Sequence, residues 1–389
     1  MAIPMAKLCE DAQTKYNMLL VGGKGGTENT VRWVHMVEDR EVPDFLHGGE
    51  LIFTTGIGHI GDDANMLEFT RNLHAHGAAG VVFNIGPYIR SVPPDVAAFA
   101  NAHDFPVFTL PWNVHIIDIT YDFCNRIIEN EKAEISLMQA FKNLIFGPGS
   151  AADSLPALEK NGFSAAADYR VLAVAFRNRD DRSVTAPLYA KNRALVWKQF
   201  ANSASPAAII AQNTHLIVVK QHCSAAAVER ICSALHKSLA PGGLHSIVGV
   251  SDEGSGYQSV PALYRQAEAA FITAQLERRG CCTYADIGLN RLILSVGSKP
   301  FLSQYAHSVL APVLAYDEAH GTDCADLLRT YIAHDCSVNA VAESGGVHRN
   351  TVNNRMKHIR TLLGGELTES RKAELLLAYQ IMDLLPYLS

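Results

Sequence analysis

The sequence predicts a multidomain α/β and α+β chain with an all-α domain at its C-terminal end. Three observations carry this. At 389 residues the chain exceeds one ordinary hydrophobic core. Short apolar runs alternate with helical stretches in its first part, the pattern of parallel β-α units. Near its end, two helical stretches flank a glycine turn.

In the first segment the runs 49–54 (GELIFT), 80–84 (GVVFN) and 106–110 (PVFTL) suit buried strands. Residues 64–76, with Met66, Leu67 and Leu73 at helical spacing, suit a helix between them. Over Ile116–Phe146, apolar residues such as Ile119, Phe123, Ile127, Phe141 and Ile145 recur mostly at steps of three and four. That predicts one long amphipathic helix, stopped by the GPGS at 147–150. Such a helix either pairs with its copy in a dimer or packs its apolar face on its own domain. The middle segment offers strands at 169–176, 207–210, 215–219 and 246–250, with helices over 225–239 and 260–277. Residues 298–311 read as a connecting helix. The expected domains are therefore 1–130, a helical linker 131–160, 161–295 and 320–385.

A net charge of −6 argues against a chain that coats nucleic acid along its whole length, but leaves room for one basic face. No run approaches the ~20 apolar residues that span a bilayer. The first fifteen residues lack the basic start and apolar stretch of a secretory signal, so a cytoplasmic location is expected. The eight cysteines form no C-x-x-C pair and are expected to be buried thiols, redox sensing by Cys281 and Cys282 being the rival reading. His35, His47, His59, His74 and His76 lack metal-ligand spacing, and no metal or cofactor is expected.

The stretch 337–360 (SVNAVAESGGVHRNTVNNRMKHIR) has the pattern of a helix-turn-helix. That motif needs a small residue where the second helix crosses the first, and a glycine at the turn, where φ > 0 is easiest. It also needs apolar residues to lock the pair. Ala342, Gly346, Val347, Val352 and Met356 stand at those offsets. Gly345 departs from the pattern, since a larger apolar residue usually precedes the turn glycine. The second helix is expected over 349–363. Its exposed face would carry His348, Arg349, Asn350, Thr351, Asn353, Asn354, Arg355, Lys357, His358 and Arg360, with no acid between His348 and Thr361. Arg and Asn read guanine and adenine edges through paired hydrogen bonds, which makes Arg349, Asn350, Asn353 and Asn354 candidate base readers. Arg355, Lys357 and Arg360 are candidate phosphate contacts. The bland alternative is a solvated basic face, because Asp323, Asp326, Asp335, Glu343, Glu366, Glu369 and Glu374 surround the stretch. The concentration of positive charge on one helix favours double-stranded DNA as partner.

Residues 327–364 resemble the C-terminal helix-turn-helix of PucR/CdaR-type regulators, in which VHRNT opens the recognition helix; VHRNT stands unaltered from Val347 to Thr351. Residues 29–34 (NTVRWV), 48–56 (GGELIFTTG), 80–82 (GVV) and 105–112 (FPVFTLPW) are similar to the purine-catabolism-regulator-like domain of that family. Val248-Gly249-Val250-Ser251 and Tyr264-Arg265-Gln266-Ala267 resemble its GGDEF-like middle domain. The resemblance implies a one-component regulator with an N-terminal α/β sensor domain, a degenerate GGDEF-like α+β domain and a DNA-binding tail. It implies control of purine or other nitrogen catabolism, often as an activator, and then RNA polymerase as a partner.

The rival reading is a nucleotide cyclase built on the middle domain. Cyclases need a Gly-Gly turn followed by acids that hold Mg²⁺. The nearest stretch, Ser251-Asp252-Glu253-Gly254-Ser255-Gly256, lacks that order, so no catalysis is expected. The glycines of 22–27 (GGKGGT) have their lysine in the wrong place for a phosphate loop and read as a flexible turn. A sensor needs a pocket, and open α/β sheets place pockets at the carboxyl ends of strands. Thr54, Thr55 and Gly56 follow one predicted strand; Asn84, Gly86 and Tyr88 follow another. Arg32 and Trp33 could add a guanidinium and a stacking surface for a planar heterocycle such as a purine-pathway metabolite. Major-groove readers of this kind usually bind as dimers, so a homodimer or higher homo-oligomer is expected.

Overall fold

The computed structural model describes residues 3–39, 46–57, 63–147, 154–178, 196, 199–200, 205–212 and 215–388. His59 and residues 148–150 of the expected helix stop lie outside them. The chain forms two compact units, Met1–Gln139 and Ala140–Ser389.

The first unit opens with β1 (Ile3–Pro4), α1 (Met5–Leu8), α2 (Ala12–Tyr16), β2 (Leu19–Gly22) and β3 (Thr30–Val31), β1 and β3 forming a short antiparallel ladder. Its main sheet is built from β4 (Trp33–Met36), β5 (Glu50–Thr54), β6 (Gly80–Ile85) and β7 (Val107–Pro111), parallel and side by side in chain order. β2 pairs antiparallel on the outer edge of β7. Helices α3 (Asp63–Ala75) and α4 (Pro94–Ala102) make the crossovers, and α5 (Ile116–Phe146) follows β7. Both faces of the sheet are covered, which is why its strands are apolar at nearly every position. Alternate residues divide between two cores. Leu51, Phe53, Val82, Phe108 and Leu110 pack with Met5 and Leu8 of α1 and Ile119, Phe123 and Ile127 of α5. Ile52, Val81, Phe83 and Val107 pack with Met66, Phe69 and Leu73 of α3 and Val96 and Ala100 of α4. Phe53 meets Phe123 edge to face at 6.3 Å between centroids, worth about 0.5–1.5 kcal/mol beyond its burial.

The glycine turn at 22–27 is not loose. Gly23 donates to Asn101 Oδ1 at 2.9 Å, and a Cβ on Gly26 would collide with the Asp104 backbone. The expectation of a flexible turn came from composition alone. Close approach of the 104–106 backbone explains the small residues instead.

The second unit holds a sheet of β8 (Asp168–Arg177), β9 (Ala207–Ala211), β10 (Leu216–Gln221), β11 (His245–Val250), β12 (Gly254–Ser255) and β13 (Cys281–Thr283). The order is β13-β11-β8-β10-β9, with β12 paired to β8. Before it stands α6 (Leu155–Lys160). α7 (Ala225–Leu239) covers one face, where Val228, Leu235 and Leu239 join Leu172, Val174, Leu216 and Val248. α8 (Val260–Leu276) lies on β8 and β11. Gly249 lets α8 come close, because a Cβ there would run into the backbones of Ala267 and Phe271.

The chain then becomes wholly helical: α9 (Asn290–Ser295), α10 (Lys299–His320), α11 (Cys324–Ala333), α12 (Val338–Ser344), α13 (Arg349–Leu362) and α14 (Glu369–Leu384). Here the structure departs from the sequence expectation of a connecting helix over 298–311. α10 runs on through Pro312 to His320, and Leu302, Ala306, Val309, Leu310 and Val313 share one core with Leu328, Met356, Leu375 and Ile381. Proline interrupts one backbone bond, but burial on both sides of it holds the helix together. The helical core thus draws on residues upstream of 320. The fold class is the expected one: α/β, then α+β, then all-α. No helix among the described residues is long and apolar enough to cross a membrane.

Candidate nucleic-acid interface

α12 and α13 form the helix-turn-helix. Ser337 caps α12 by accepting from Ala340 N at 3.3 Å. At the far end Val347 N donates to Ala342 O at 3.0 Å and Gly346 N to Glu343 O at 3.4 Å, the paired bonds of a Schellman turn. Gly346 sits in the left-handed region at φ 60°, where a side chain would be strained. Gly345 keeps an ordinary helical φ of −90° and donates to Val341 O at 3.0 Å, so this departure from the family pattern leaves the end of α12 bonded. Ala342, Val352 and Met356 are buried as expected. Val347 is 47 % exposed, so it does little to lock the helices; Val341 and Ile359 are the buried residues in its place.

Val352, Met356 and Ile359 turn one face of α13 into the core, and the opposite face looks outward. Arg349, Asn350, Thr351, Asn353, Asn354, Lys357 and His358 are all exposed. Among the described residues, the side chains of Arg349, Asn350, Asn353, Asn354 and Lys357 make no hydrogen bond or ion pair. The structure therefore brings the four candidate base readers together at the first two turns, with their donors and acceptors open to solvent.

Three other residues of the set have work inside the domain. His348 is the N-cap of α13, its Nδ1 accepting from Asn350 N at 3.2 Å. Arg355 pairs with Asp323, and Arg360 reaches Glu366 at 3.3 Å and the Tyr331 hydroxyl at 3.2 Å. Both arginines are half-buried. Sequence reasoning listed the acids nearby as a neutralising background but could not pair them, because the pairing depends on how α11 and the 363–368 turn meet α13. His358 stacks edge-on against Tyr316 of α10, ring centroids 4.6 Å apart.

The candidate effector residues are not gathered into one site. Thr54, Thr55 and Gly56 do stand at the carboxyl end of β5, but their donors are consumed. The Glu38 carboxylate accepts from Thr54 Oγ1 (3.1 Å), Thr55 N (2.8 Å), Thr55 Oγ1 (2.7 Å) and Gly56 N (3.1 Å). Asn84 is buried and donates to the carbonyls of Leu110 and Pro111 at 3.3 and 3.2 Å, tying β6 to β7. Trp33 lies opposite Glu50, at the amino end of the sheet. Four residues of strand put Trp33 and its neighbour Arg32 about 13 Å from Thr54. Only Tyr88 faces solvent at the carboxyl end, where it meets the half-exposed Trp112 edge-on at 6.1 Å. Glu38 and Trp112 are the residues that sequence reasoning left out of this region. A single acid after a short edge strand carries no periodic signal, whereas Trp112 was visible as a family residue without an assigned place.

In the loop of the rival cyclase reading, one carboxylate and one backbone donor are engaged. Glu253 pairs with Arg170 at 3.1 Å, and Asp252 N donates to Gln266 at 3.1 Å. Cys281 sits 3.3 Å from Cys232 rather than working with its neighbour Cys282, which faces the buried side of β13. Among the described residues no cluster of three or more His, Cys, Asp or Glu could hold a metal.

Comparison with known proteins places these parts in a family. Residues 8–127 match the purine catabolism regulatory protein-like family, 150–271 a GGDEF-like domain and 324–381 the PucR C-terminal helix-turn-helix domain. The purine catabolism regulatory protein of Bacillus subtilis (strain 168) is 30% identical over 120 residues, 31% of this chain and 22% of that protein. The proline-responsive transcriptional activator PutR of the same bacterium is 28% identical over 128 residues, 32% of this chain and 31% of that protein. The matches thus span only about a fifth to a third of these relatives' own lengths. A solved regulator of polyketide synthase expression from Bifidobacterium adolescentis covers 64% of this chain and 97% of its own. Its 16% identity and TM-score of 0.33 are too low to argue from. The three family models follow one another in the order of purine catabolism regulatory protein-like domain, GGDEF-like domain and helix-turn-helix, and the chain belongs to the PucR-type family of regulators.

Proposed function

We propose that the chain is a cytoplasmic, ligand-responsive transcriptional regulator that binds duplex DNA through α13. The carrying observation is the outward face of that helix, with Arg349, Asn350, Asn353 and Asn354 exposed and unengaged in a stretch free of acids. Arg and Asn suit guanine and adenine edges, and the first turns of a recognition helix enter the major groove. Lys357 serves the phosphates, with Arg355 and Arg360 as secondary contacts that must leave or share their acids. The relatives named for purine catabolism and for a proline response support regulation of nitrogen-compound genes, by activation and hence through RNA polymerase.

Residues 1–130 serve as the sensor domain, 161–295 as a non-catalytic coupling domain, and the helical end as the DNA reader, within a homo-oligomer. The long helix α5 supports oligomer formation, since Ile117, Tyr121, Ile128 and Ile135 remain exposed while Ile119, Phe123 and Ile127 are buried. Engagement of Glu253 by Arg170 supports the non-catalytic reading.

Fluorescence anisotropy of the purified chain on DNA from upstream of its own gene and neighbouring operons tests the proposal. Tight binding that outcompetes random DNA and falls steeply with salt is the expected result. Equal affinity for random DNA, with purine metabolites present or absent, would refute it.

A further inference from the structure

A cavity opens in the second unit between the sheet domain and the helices that follow it. It holds about 570 Å³, within the usual range for small-molecule sites. Arg177 at the end of β8 and Arg265 and Gln275 of α8 line one side. Ser298 and Lys299 at the start of α10, with Leu302 and the 386–388 tail, line the other. The cavity is therefore walled by the sheet domain and the helical domain together.

Its chemistry is that of an anion site with an apolar floor. Among the described lining residues, Arg177, Arg265 and Lys299 bring three cations beside one carboxylate, that of Glu268. Burial pushes the Glu268 carboxyl up, towards its neutral form, while the Tyr264 hydroxyl donates to it at 2.9 Å. His215 adds no charge near neutral pH, since burial and then the charge of Arg177 push it down to about 4. α10, twenty-two residues long, begins here with Ser298 as its cap, so its positive dipole end adds to the field. Phe271, Ile272, Leu294 and Leu302 supply the apolar walls.

We infer that this cleft binds a small organic acid, a carboxylate on an apolar or hydrogen-bonding body, and that the acid is a second effector, acting beside whatever residues 1–130 sense. Arginine offers the planar fork that matches a carboxylate, and Gln275 and Ser298 can orient the rest. A ligand that touches both domains biases their relative placement only through its unequal contacts in the two arrangements. The path to the DNA-reading face runs along one helix. Leu302 at the cleft and Tyr316 further along are on the same helix, and Tyr316 packs on His358 of α13. Gln380 of α14 donates to Asn290, and Asn290 donates to Thr273 of α8, at 2.9 and 3.1 Å, a polar bridge between the helical domain and the sheet domain. The regulatory half of this inference rests on the DNA-binding reading above; the binding half does not.

Isothermal titration of the full chain with benzoate and with glutarate, against benzamide and inorganic phosphate, tests the site. Saturable binding of at least one carboxylate is expected, about tenfold tighter than the neutral amide and than phosphate. Arg265→Gln and Lys299→Gln, both at exposed positions, should each weaken it about fivefold to tenfold, and Arg177→Gln more. No saturable heat from either carboxylate up to about 10 mM, or binding unchanged in Arg265→Gln and Lys299→Gln, would overturn the assignment. Anisotropy on the operator should then shift at least threefold when the carboxylate is present, roughly the low end of allosteric coupling. Carboxylate binding without such a shift overturns the effector role, whereas a chain that binds the carboxylate but no DNA refutes the DNA-binding reading alone.

Discussion

The polar residues on α13 and those at the carboxyl ends of β5 and β6 look alike as sequence and are used in opposite ways. On α13 the asparagines and Arg349 face water with no partner among the described residues, and the fold loses nothing by leaving them so. At the strand ends Thr54, Thr55, Gly56 and Asn84 sit in a nearly dry sheet edge, where each donor must be met, and Glu38 and two carbonyls meet them. A recognition surface needs groups the fold can spare. Polarity at a strand end is more often what the fold itself consumes.

The double variant Arg349→Ala/Asn350→Ala tests one side of this contrast and should have the largest effect. DNA affinity should drop about 100-fold or more, at roughly 1–3 kcal/mol per lost base contact. Its melting temperature should stay within about 2 °C of the parent, because surface changes of this kind are near neutral for stability. A large loss of stability would mean that these side chains serve the fold after all.

Glu38→Ala tests the other side. It strands four donors around buried threonines and should cost about 2–4 kcal/mol in urea unfolding of the first unit. A cost below about 0.5 kcal/mol would mean the strand-end donors are free for a ligand.

Buried histidine in the second unit extends the contrast to pH. His215 has an ordinary value of 6.5, and burial, then the charge of Arg177, push it to about 4 in the folded chain. Between those values the unfolded chain holds a proton that the folded chain lacks. The stability at stake is fully present above about 6.5 and lost as pH falls towards about 4, at up to about 1.4 kcal/mol per unit. Thermal melts of the parent and His215→Phe across that window should show a shallower slope in the variant.

The smallest effect separates cations on the same helix. Lys357→Ala should lower the salt slope of DNA binding by about one, and Arg355→Ala by less, since Asp323 already holds Arg355. Equal changes would show that the ion pair opens on the duplex.

How much was legible follows from what each feature depends on. The strands of the first sheet and the helix Ile116–Phe146 were readable because alternation and helical spacing are written in consecutive residues. α13 was readable for the same reason, its buried Val352, Met356 and Ile359 falling on one stripe. β4 escaped notice because Trp33–Met36 is a short, half-exposed edge strand. Without β4 there was no register, so nothing told that Trp33 and Thr54 lie at opposite ends of the sheet. The helix expected over 298–311 continues past Pro312 because tertiary burial on both sides of the proline holds it. The cleft at Arg177, Arg265 and Lys299 joins residues more than a hundred positions apart and leaves no trace in the order of the chain.

Two of the four cations on α13 are tethered to acids of their own domain. For a protein that reads duplex DNA with this helix, a random stretch of double helix meets mainly Arg349 and Lys357. Few counterions are then displaced, and the grip on arbitrary sequence is weak. In a cell where wrong sites outnumber the right one by millions or more, time lost at each wrong site matters more than final affinity. On the proposed function, the tethered arginines would shorten those visits and make the search a series of brief landings instead of long slides.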